Sequence, residues 1–535
     1  MQKGTKRNLF VAATYAAVLL LGILLGQNYV DEQGNKPGSS LVPIGLSNNS
    51  WKIQQLIDLI NNSYVDSVSL DSVQNGAINH IISHLDPYSS YLVPNKALQQ
   101  TEILEGTFEG IGMEYFNLRD SLMVVSLING GPAEKAGFRV GDKLLRIDEK
   151  VVAGVNISQE EIEKLIRGSR GTIVNIHINR DGLDIPTAIK VVRNQVTVRS
   201  LDVVYMIEPT VGYIKVRRFG MNTGEEFLSA LTALKKQGAK RLILDLRDNG
   251  GGYFHVAIKM ASTFFKDRRL VVYTEGAHEL RQDYFSDEAG AFAEGELAIL
   301  INENTASASE IVAGSIQDWD RGVIIGRRSY GKGIVQEQFD FSDGSTINLS
   351  IARYYTPLGR SIQKKYTPNW SNMVDFNNMY KGLWLLDTLY AHGQAYKTQA
   401  GKAVFSGGGI LPDIQMPTDS TSFDTPYQDL LRYGFVDQFV YGRFTKKLPA
   451  YSIENFLTGY NLPDNEYHAF IDFVRSEGIL ISEQKKRDLR SVIESDIEAL
   501  VGRYYFGREA YFKVKNRSDV FVKRALEYFN RTRPS

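Results

Sequence analysis

The spacing of hydrophobic residues predicts helices near the start of the chain and again at its end. Between residues 51 and 100, apolar side chains recur every three or four positions, as at Ile53, Ile57 and Ile60. That spacing places them along one face of a helix. Residues 425–535 mix aromatic and apolar residues with charged ones, and we expect this region to be mostly helical.

Residues 107–195 instead carry short apolar runs separated by turn residues. Examples are the runs at 123–125 (MVV), 143–147 (KLLRI) and 174–178 (VNIHI), with glycine-rich turns between them. Such short runs bounded by glycine and proline are typical of strands. We expect a small, mainly β module of about 90 residues, which is within the usual size range of a domain.

Residues 198–420 alternate between buried-strand patterns and helical patterns, which indicates an α/β domain. The predicted strands lie at 241–246, 297–302, 322–326 and 347–355. Helices are expected at about 253–265 and 307–319.

An apolar run at residues 10–26 follows a basic start, which predicts an export signal. The basic residues are Lys3, Lys6 and Arg7. No small-x-small cleavage site follows Leu25, which favours an uncleaved signal anchor, with a cleaved signal peptide as the alternative. The polar segment 31–43, rich in Gly, Pro and Ser, is expected to be a linker away from the membrane.

Composition excludes several classes of protein. The chain has 61 Lys+Arg and 61 Asp+Glu, so it lacks the net basic charge typical of nucleic-acid binders. It has no cysteine, which excludes disulfides, thiol nucleophiles, a lipid-modified cysteine and cysteine-ligated metal sites.

A serine follows the strand predicted at 297–302 and precedes the next helix. It is Ser307, in the segment 304–310 (NTASASE). At the start of a helix the main-chain N–H groups are unpaired and favour negative charge. Such a position suits a nucleophile whose attack creates an oxyanion, with the N–H of Ala308 as a donor. Simple N-capping of the helix is the alternative for any single serine there.

The glycine-rich turn at 245–252 (DLRDNGGG) also joins a strand to a helix. Glycine lets the main chain approach a ligand closely, so Gly251 is predicted to supply a second oxyanion donor. A tight structural turn is the alternative. A phosphate-binding P-loop is disfavoured because no Gly-Lys-Ser/Thr follows.

A lysine between two glycines is the candidate general base. It is Lys332, in the segment 330–336 (YGKGIVQ). Burial lowers the pKa of an amine, so a desolvated lysine can accept a proton from a serine hydroxyl. Gln336, four residues later, could orient the amine by a hydrogen bond. The alternative is a flexible surface loop, in which the lysine would have no catalytic role.

The histidines are weaker candidates. His80 and His84 have the spacing of helical zinc ligands, but no third ligand is evident. His255 could complete a Ser-His-Asp triad but falls in a predicted helix, where packing is the expected role. No metal and no cofactor is expected.

In the β module, the loop 108–113 (FEGIGM) precedes an apolar strand. A glycine-bounded loop with unpaired N–H groups can hold the terminal carboxylate of a peptide, and the adjacent strand edge can accept the peptide as an added strand. A plain hairpin connection is the alternative. The predicted peptide-binding residues are Gly110, Ile111, Gly112 and Met113.

Together these segments resemble the C-terminal processing peptidases, also called tail-specific proteases, from about residue 50 to 415. The segments 76–78 (GAI) and 85–92 (LDPYSSYL) are similar to the family's helical region, and 108–113 with 131–142 to its PDZ domain. Residues 305–310 match the nucleophile motif. Ser307 and Lys332 are 25 positions apart, as the family pattern expects, and Gln336 matches the family's third residue.

Two segments depart from the family pattern. The glycine turn usually reads Asn-Pro-Gly-Gly, but here it is Asn-Gly-Gly-Gly at 249–252. In the family, the segment that corresponds to 359–363 (GRSIQ) is followed almost directly by a Gly-Ile-x-Pro-Asp segment. Here that second segment lies at 409–413 (GILPD), so residues 364–406 are interpreted as an insertion.

The resemblance implies a multidomain α/β (α+β) fold, with a protease core of β-β-α units, an inserted PDZ domain and a helical C-terminal extension. The predicted regions are a signal segment at 1–30, a linker at 31–43, the N-terminal helical region at 44–102, the PDZ domain at 103–197, the Ser/Lys peptidase core at 198–420 and the extension at 421–535.

The resemblance also implies a serine endopeptidase that recognises C-terminal tails through its PDZ domain. Ser307, Lys332 and Gln336 would be catalytic, and Arg167 is a candidate for coupling the PDZ domain to the active site. Substrates would be proteins with accessible C-termini. The chain would be exported to the bacterial periplasm or cell envelope and anchored to the inner membrane by its N-terminal helix. It could assemble with itself or with an adaptor. The rival hypothesis is a non-catalytic PDZ scaffold, which would need the peptide loop but not the three catalytic residues together.

Overall fold

The computed structural model describes residues 51–118, 121–180, 186–366, 393–417, 425–444 and 452–531. The predicted signal segment and linker, and most of the predicted insertion at 364–406, lie outside these residues. Within them, no helix combines the length and the apolar character that a membrane span needs.

The core of the largest domain is a six-stranded sheet in the order β10-β11-β12-β15-β16-β21. β10 and β11 are antiparallel, and the other neighbours are parallel. The strands are β10 Leu201–Glu208, β11 Val211–Val216, β12 Arg241–Asp245, β15 Glu296–Ile301, β16 Val323–Gly326 and β21 Ile414–Gln415.

Helices cover both faces of this sheet, which is why its strands are continuous apolar runs. In β12, Leu242 and Leu244 face one helical layer, whereas Ile243 faces the helix at the C-terminus of the chain. The first layer consists of α6 Thr223–Lys236, α7 Phe254–Ser262 and α8 Ala308–Asp318, and the helix on the other face is α15 Val520–Arg531.

A second, antiparallel sheet joins the N-terminal region to the core. Its order is β1-β18-β13-β14, and β17 pairs with β18. Its strands are β1 Ser90–Leu92, β13 Leu270–Glu275, β14 Gln282–Phe285, β17 Ile334–Asp340 and β18 Thr346–Tyr355. The N-terminal helices are α1 Trp51–Ser63, α2 Leu70–Ile82 and α3 Pro94–Glu105.

The small β module is connected to the core by a two-stranded neck, β2 Thr107–Gly110 and β9 Asn194–Thr197. Its sheet has the order β3-β4-β5-β7-β8, and β6 pairs with β5. The module contains β3 Met113–Leu118, β4 Ser121–Leu127, α4 Pro132–Lys135, β5 Lys143–Ile147, β6 Lys150–Val151, α5 Gln159–Ile166, β7 Ile173–Asn179 and β8 Thr187–Val192.

The C-terminal extension is helical, as its composition indicates, and most of it packs around its own apolar core. Its helices before α15 are α9 Thr425–Arg432, α10 Phe435–Arg443, α11 Ile453–Gly459, α12 Asp464–Ser476, α13 Glu483–Phe506 and α14 Arg508–Ser518. A hairpin of β19 Ala395–Lys397 and β20 Ala403–Phe405 precedes the extension.

The strands and helices expected between residues 198 and 420 are present, with differences only at their ends. α2 ends at Ile82, before the segment 85–92. The Asp86 carboxylate accepts hydrogen bonds from the N–H groups of Tyr88 and Ser89, both at 2.7 Å, and so forms a separate turn beyond the helix.

Candidate active site

Ser307 lies at the junction where β15 ends and α8 begins, as the sequence pattern predicts. It has φ +55° and ψ −116°, a main-chain conformation that a non-glycine residue adopts at an energetic cost. Such strain, of order 1–3 kcal/mol, persists only where surrounding contacts impose it and is frequent at active sites.

The buried carboxylate of Glu310 connects the segments of Ser307 and Lys332. One of its oxygens accepts hydrogen bonds from the main-chain N–H of Ser307 at 2.8 Å and of Lys332 at 2.9 Å. The other accepts from the N–H of Gly331, at 2.8 Å, and from the hydroxyl of Ser329. The two segments therefore converge on one side chain.

Burial raises the pKa of Glu310 to about 7, although the four hydrogen bonds favour its charged form. No role was predicted for this glutamate. Its spacing of three residues after Ser307 is that of a capping box, and this signal was available in the sequence.

The Lys332 side chain is partly buried beside Gln336. Its Nζ donates to Gln336 Oε1 at 2.6 Å and lies 5.5 Å from the centre of the Tyr88 ring. Burial lowers the pKa of this amine, whereas the nearby carboxylates of Asp86 and Glu310 oppose that shift. Among the described residues, no hydrogen bond joins Lys332 Nζ to Ser307 Oγ.

Gln336 is held in turn by the N-terminal region. Its Nε2 donates to the carbonyl of Tyr88 at 2.7 Å. That carbonyl belongs to the turn that the Asp86 carboxylate organises, and β1 follows it and pairs with β18. The segment 85–92, singled out for its resemblance, thus completes the wall of the site around the lysine.

Tyr354 on β18 makes a second link between the two segments. It is fully buried, and its hydroxyl contacts the carbonyl oxygens of both Ser307 and Lys332. Together, Glu310 and Tyr354 bind the main-chain N–H and C=O groups of both residues.

The glycine turn lies directly against Ser307. At Gly251, φ is +101°, and an added Cβ would lie 2.8 Å from Ser307 Cβ and 3.0 Å from Ala308 N. Only glycine permits this approach. In this structure the N–H of Gly251 donates to Asn249 Oδ1 at 2.9 Å, whereas no hydrogen bond of the described residues uses the N–H of Ala308.

The loop predicted to bind a peptide carboxylate lies between the neck and β3. The carbonyls of Ile111 and Gly112 accept hydrogen bonds from within the module, at 2.8 and 3.0 Å, but their N–H groups donate none among the described residues. β3 pairs with β4 alone among the described strands, so its other edge can accept an added strand.

Arg167 lies at the end of α5, close to this loop. Its guanidinium forms an ion pair with Glu102 of α3 and lies 4.9 Å from the centre of the Phe108 ring. The residue predicted to couple the β module to the core therefore contacts both the N-terminal region and the neck.

The histidines do not join the site. His255 is exposed near the start of α7, and its ring lies against that of Tyr253. His84 hydrogen-bonds the carbonyl of His80 at 2.7 Å. In the described ranges, no three His, Asp or Glu side chains are grouped as a metal site would need.

Four family models match the chain. They are an activating protease CtpB N-terminal domain at residues 13–95, a PDZ domain at 110–191, peptidase family S41 at 210–371, and a family of unknown function, DUF8443, at 426–507. The first overlaps the predicted signal segment, linker and helical N-terminal region, the second the predicted PDZ domain, and the third the predicted peptidase core. The predicted fold class is confirmed.

Curated relatives are named as serine proteases or as carboxy-terminal processing proteases. A "Probable CtpA-like serine protease" of Staphylococcus haemolyticus is 30% identical over 400 residues, covering 74% of this chain and 79% of the relative. The "Carboxy-terminal processing protease CtpA" of Bacillus subtilis is 33% identical over 362 residues, covering 66% of this chain and 74% of the relative. A solved "Photosystem II D1 C-terminal processing protease" is 25% identical, with a TM-score of 0.36, covering 70% of this chain and 96% of that one.

The raised pKa of Glu310 predicts a pH-dependent stability. The native state retains a proton that the carboxyl group of Glu310 releases in the unfolded chain near its ordinary pKa of 4.5. The stability that this proton contributes to the native state is complete at low pH. It is lost as pH rises to about 7. We expect the free energy of unfolding to fall by on the order of 3 kcal/mol over this range in the unmodified chain, and to change less in Glu310→Gln.

Urea unfolding at half-unit pH steps from 5 to 8 measures this difference, with the exposed Glu527→Gln as the control variant. Parallel pH profiles for Glu310→Gln and the unmodified chain would contradict the assignment.

Proposed function

The chain belongs to the carboxy-terminal processing serine proteases of peptidase family S41, and we propose that Ser307 is its nucleophile and Lys332 its general base. The support is the convergence of both residues on the Glu310 carboxylate. That carboxylate holds their main chains together although they are distant in sequence.

Acyl transfer from the substrate to Ser307 is the first half of the proposed reaction. Neutral Lys332 takes the proton of the Ser307 hydroxyl, and Oγ attacks the carbonyl carbon of the scissile peptide bond. When the tetrahedral intermediate collapses, the C–N bond breaks and the leaving amine takes the proton from the Lys332 ammonium. An ester joins the acyl group to Ser307.

Hydrolysis of that ester is the second half. A water molecule gives a proton to Lys332 and adds to the ester carbonyl. The C–O bond to Ser307 then breaks, and Oγ regains its proton from the lysine. The burial that lowers the pKa of Lys332 favours the neutral amine that both halves require.

The lysine must turn from Gln336 toward Ser307 for this reaction. Catalytic hydrogen bonds are often absent before substrate binds and form in the complex. We propose that Gln336, which the carbonyl of Tyr88 holds in place, orients the Lys332 amine in the position seen here, before the amine turns toward Ser307.

The N–H of Ala308 is the proposed donor to the oxyanion, since it belongs to the first turn of α8 and has no other partner among the described residues. We propose Gly251 as the second donor. Its N–H would have to exchange its bond with Asn249 for one with the substrate.

The PDZ domain is proposed to bind the C-terminal tail of the substrate. The N–H groups of Ile111 and Gly112 would hold the terminal carboxylate, and the tail would add to the edge of β3. Gly110 and Met113 border the same loop, and Met113 is the first residue of β3. Arg167, through its ion pair with Glu102, is the proposed link from the occupied loop to the core.

Loss of activity on replacing either catalytic residue is the first test. With purified chain lacking residues 1–30 and casein as substrate, Ser307→Ala and Lys332→Ala should each lower the rate by roughly 10³-fold or more, because acyl transfer needs both groups. The exposed α6 variants Ser229→Ala and Lys236→Ala are matched controls and should retain full activity. Full activity in Ser307→Ala would reject Ser307 as the nucleophile, and no cleavage by the unmodified chain would favour the non-catalytic PDZ scaffold.

Tail recognition is tested by removing one charge from the substrate. A peptide whose C-terminal carboxylate is amidated should be cleaved with kcat/KM lower by about tenfold or more, because hydrogen bonds to a charged group contribute about 1.5–3 kcal/mol. The same peptide acetylated at its N-terminus, with its carboxylate intact, is the control. Equal kcat/KM for the amidated and free peptides would remove the PDZ domain from recognition.

Export is proposed from the basic start and the apolar run at residues 10–26. Alkaline phosphatase, which is active only outside the cytoplasm, should be active when fused after residue 43 and inactive when residues 1–30 are deleted. A signal anchor predicts that the fusion sediments with membranes and resists extraction with carbonate. An inactive full-length fusion would refute export.

A further inference from the structure

The C-terminal extension contacts both the PDZ domain and the peptidase core. The family model that covers most of it, DUF8443 at residues 426–507, has no known function. We infer that the extension is a brace that fixes the orientation of the PDZ domain on the peptidase core. This inference deepens the proposed function, because it concerns how a bound tail is presented to the active site.

The outer face of the PDZ sheet provides the first observation. β4 is a nearly continuous apolar run, SLMVVSL, and both faces of its central part are buried. Leu122 and Val124 point into the PDZ core. Met123 and Val125 point outward and form a separate buried cluster with Tyr441 of α10.

A polar contact lies beside this apolar cluster. Arg503, in the last turn of α13, donates to Glu114 of β3 at 2.6 Å. Tyr504 packs beside Tyr441, and its hydroxyl approaches Gly141 so closely that a Cβ there would lie 2.5 Å away. The extension therefore covers the outer face of β3 and β4, while the other edge of β3 pairs with no strand among the described residues.

The other end of the extension is attached to the peptidase core. Asn516 of α14 donates to the Tyr205 hydroxyl at 2.8 Å, and Asp519 accepts from Arg247 at 2.8 Å. α15 then buries Phe521 and Phe529 against the central sheet. Arg247 lies at the start of the glycine turn, so this attachment is adjacent to the proposed oxyanion donors.

Without the extension, the two-stranded neck and the ion pair of Arg167 would be the main connections between the PDZ domain and the core. Domains joined by narrow connections move relative to one another by default. α13 and α14 follow one another directly and carry both the contact of Arg503 with Glu114 of β3 and the contact of Asn516 with Tyr205 of the core.

Tyr441 offers a matched pair of variants. It is 1% exposed, and its hydroxyl has no hydrogen-bond partner among the described residues. Tyr441→Phe removes only that oxygen and should preserve the contact. Tyr441→Ala empties the space between α10 and the outer face of β4.

The experiment measures the distance distribution between the two domains. The chain has no cysteine, so spin labels can be attached at Lys190→Cys on β8 and Lys236→Cys on α6, both exposed. We expect a narrow distribution in the otherwise unmodified chain and in Tyr441→Phe, and one broader by about twofold or more in Tyr441→Ala. Circular dichroism and thermal unfolding check that each variant is folded.

If Tyr441→Ala does not fold, Glu114→Ala breaks the polar contact from the PDZ side and is expected to broaden the distribution in the same way. An unchanged width in the folded variant would overturn the inference.

Activity supplies a second readout. Tyr441→Ala should cleave the amidated peptide as fast as the unmodified chain does, but should lose most of the advantage of the free tail. If the unmodified chain itself makes no distinction between the two peptides, the proposed tail recognition fails. The distance measurement still decides whether the extension is a brace, because it does not depend on cleavage.

Discussion

One buried carboxylate organises the site. Glu310 has no contact with water, yet it accepts hydrogen bonds from four donors in two segments of the chain. A buried carboxylate is unfavourable unless such donors surround it, so the loops around Ser307 and Lys332 must adopt the conformation that provides them. The strained main chain of Ser307 is one consequence of this requirement.

Buried charged groups also bring distant parts of the chain together here. The amine of Lys332 is desolvated because Tyr88 and Gln336 lie over it, and both are held by the turn that Asp86 forms before β1. Behind the glycine turn, the buried carboxylate of Asp245 is neutralised by Arg247, whose guanidinium also binds Asp519 of the extension. Buried charges with partners from several domains thus connect the site to the N-terminal region and to the C-terminus.

The elements that the sequence predicts correctly are those with a local pattern. Continuous apolar runs such as 241–246 predicted strands with both faces covered, and the turns at Ser307 and Gly251 were recognised from the glycine and small polar residues that such turns need. Glu310 was missed because its capping-box spacing does not show that its second oxygen serves the lysine loop. The apolar outer face of β4 was visible in the sequence, but the helices that cover it lie some 300 residues later.

By itself, the sequence determined many of the elements, the candidate nucleophile and base, and the family they resemble, because these depend on short-range periodicity and on residue types at fixed spacing. Only the tertiary structure decided that the Gly251 N–H is engaged with Asn249, that the lysine hydrogen-bonds Gln336 rather than the serine, and that the extension bridges two domains. The reason is that hydrogen bonds and burial depend on which atoms meet after folding, and side chains hundreds of residues apart contribute to each of them.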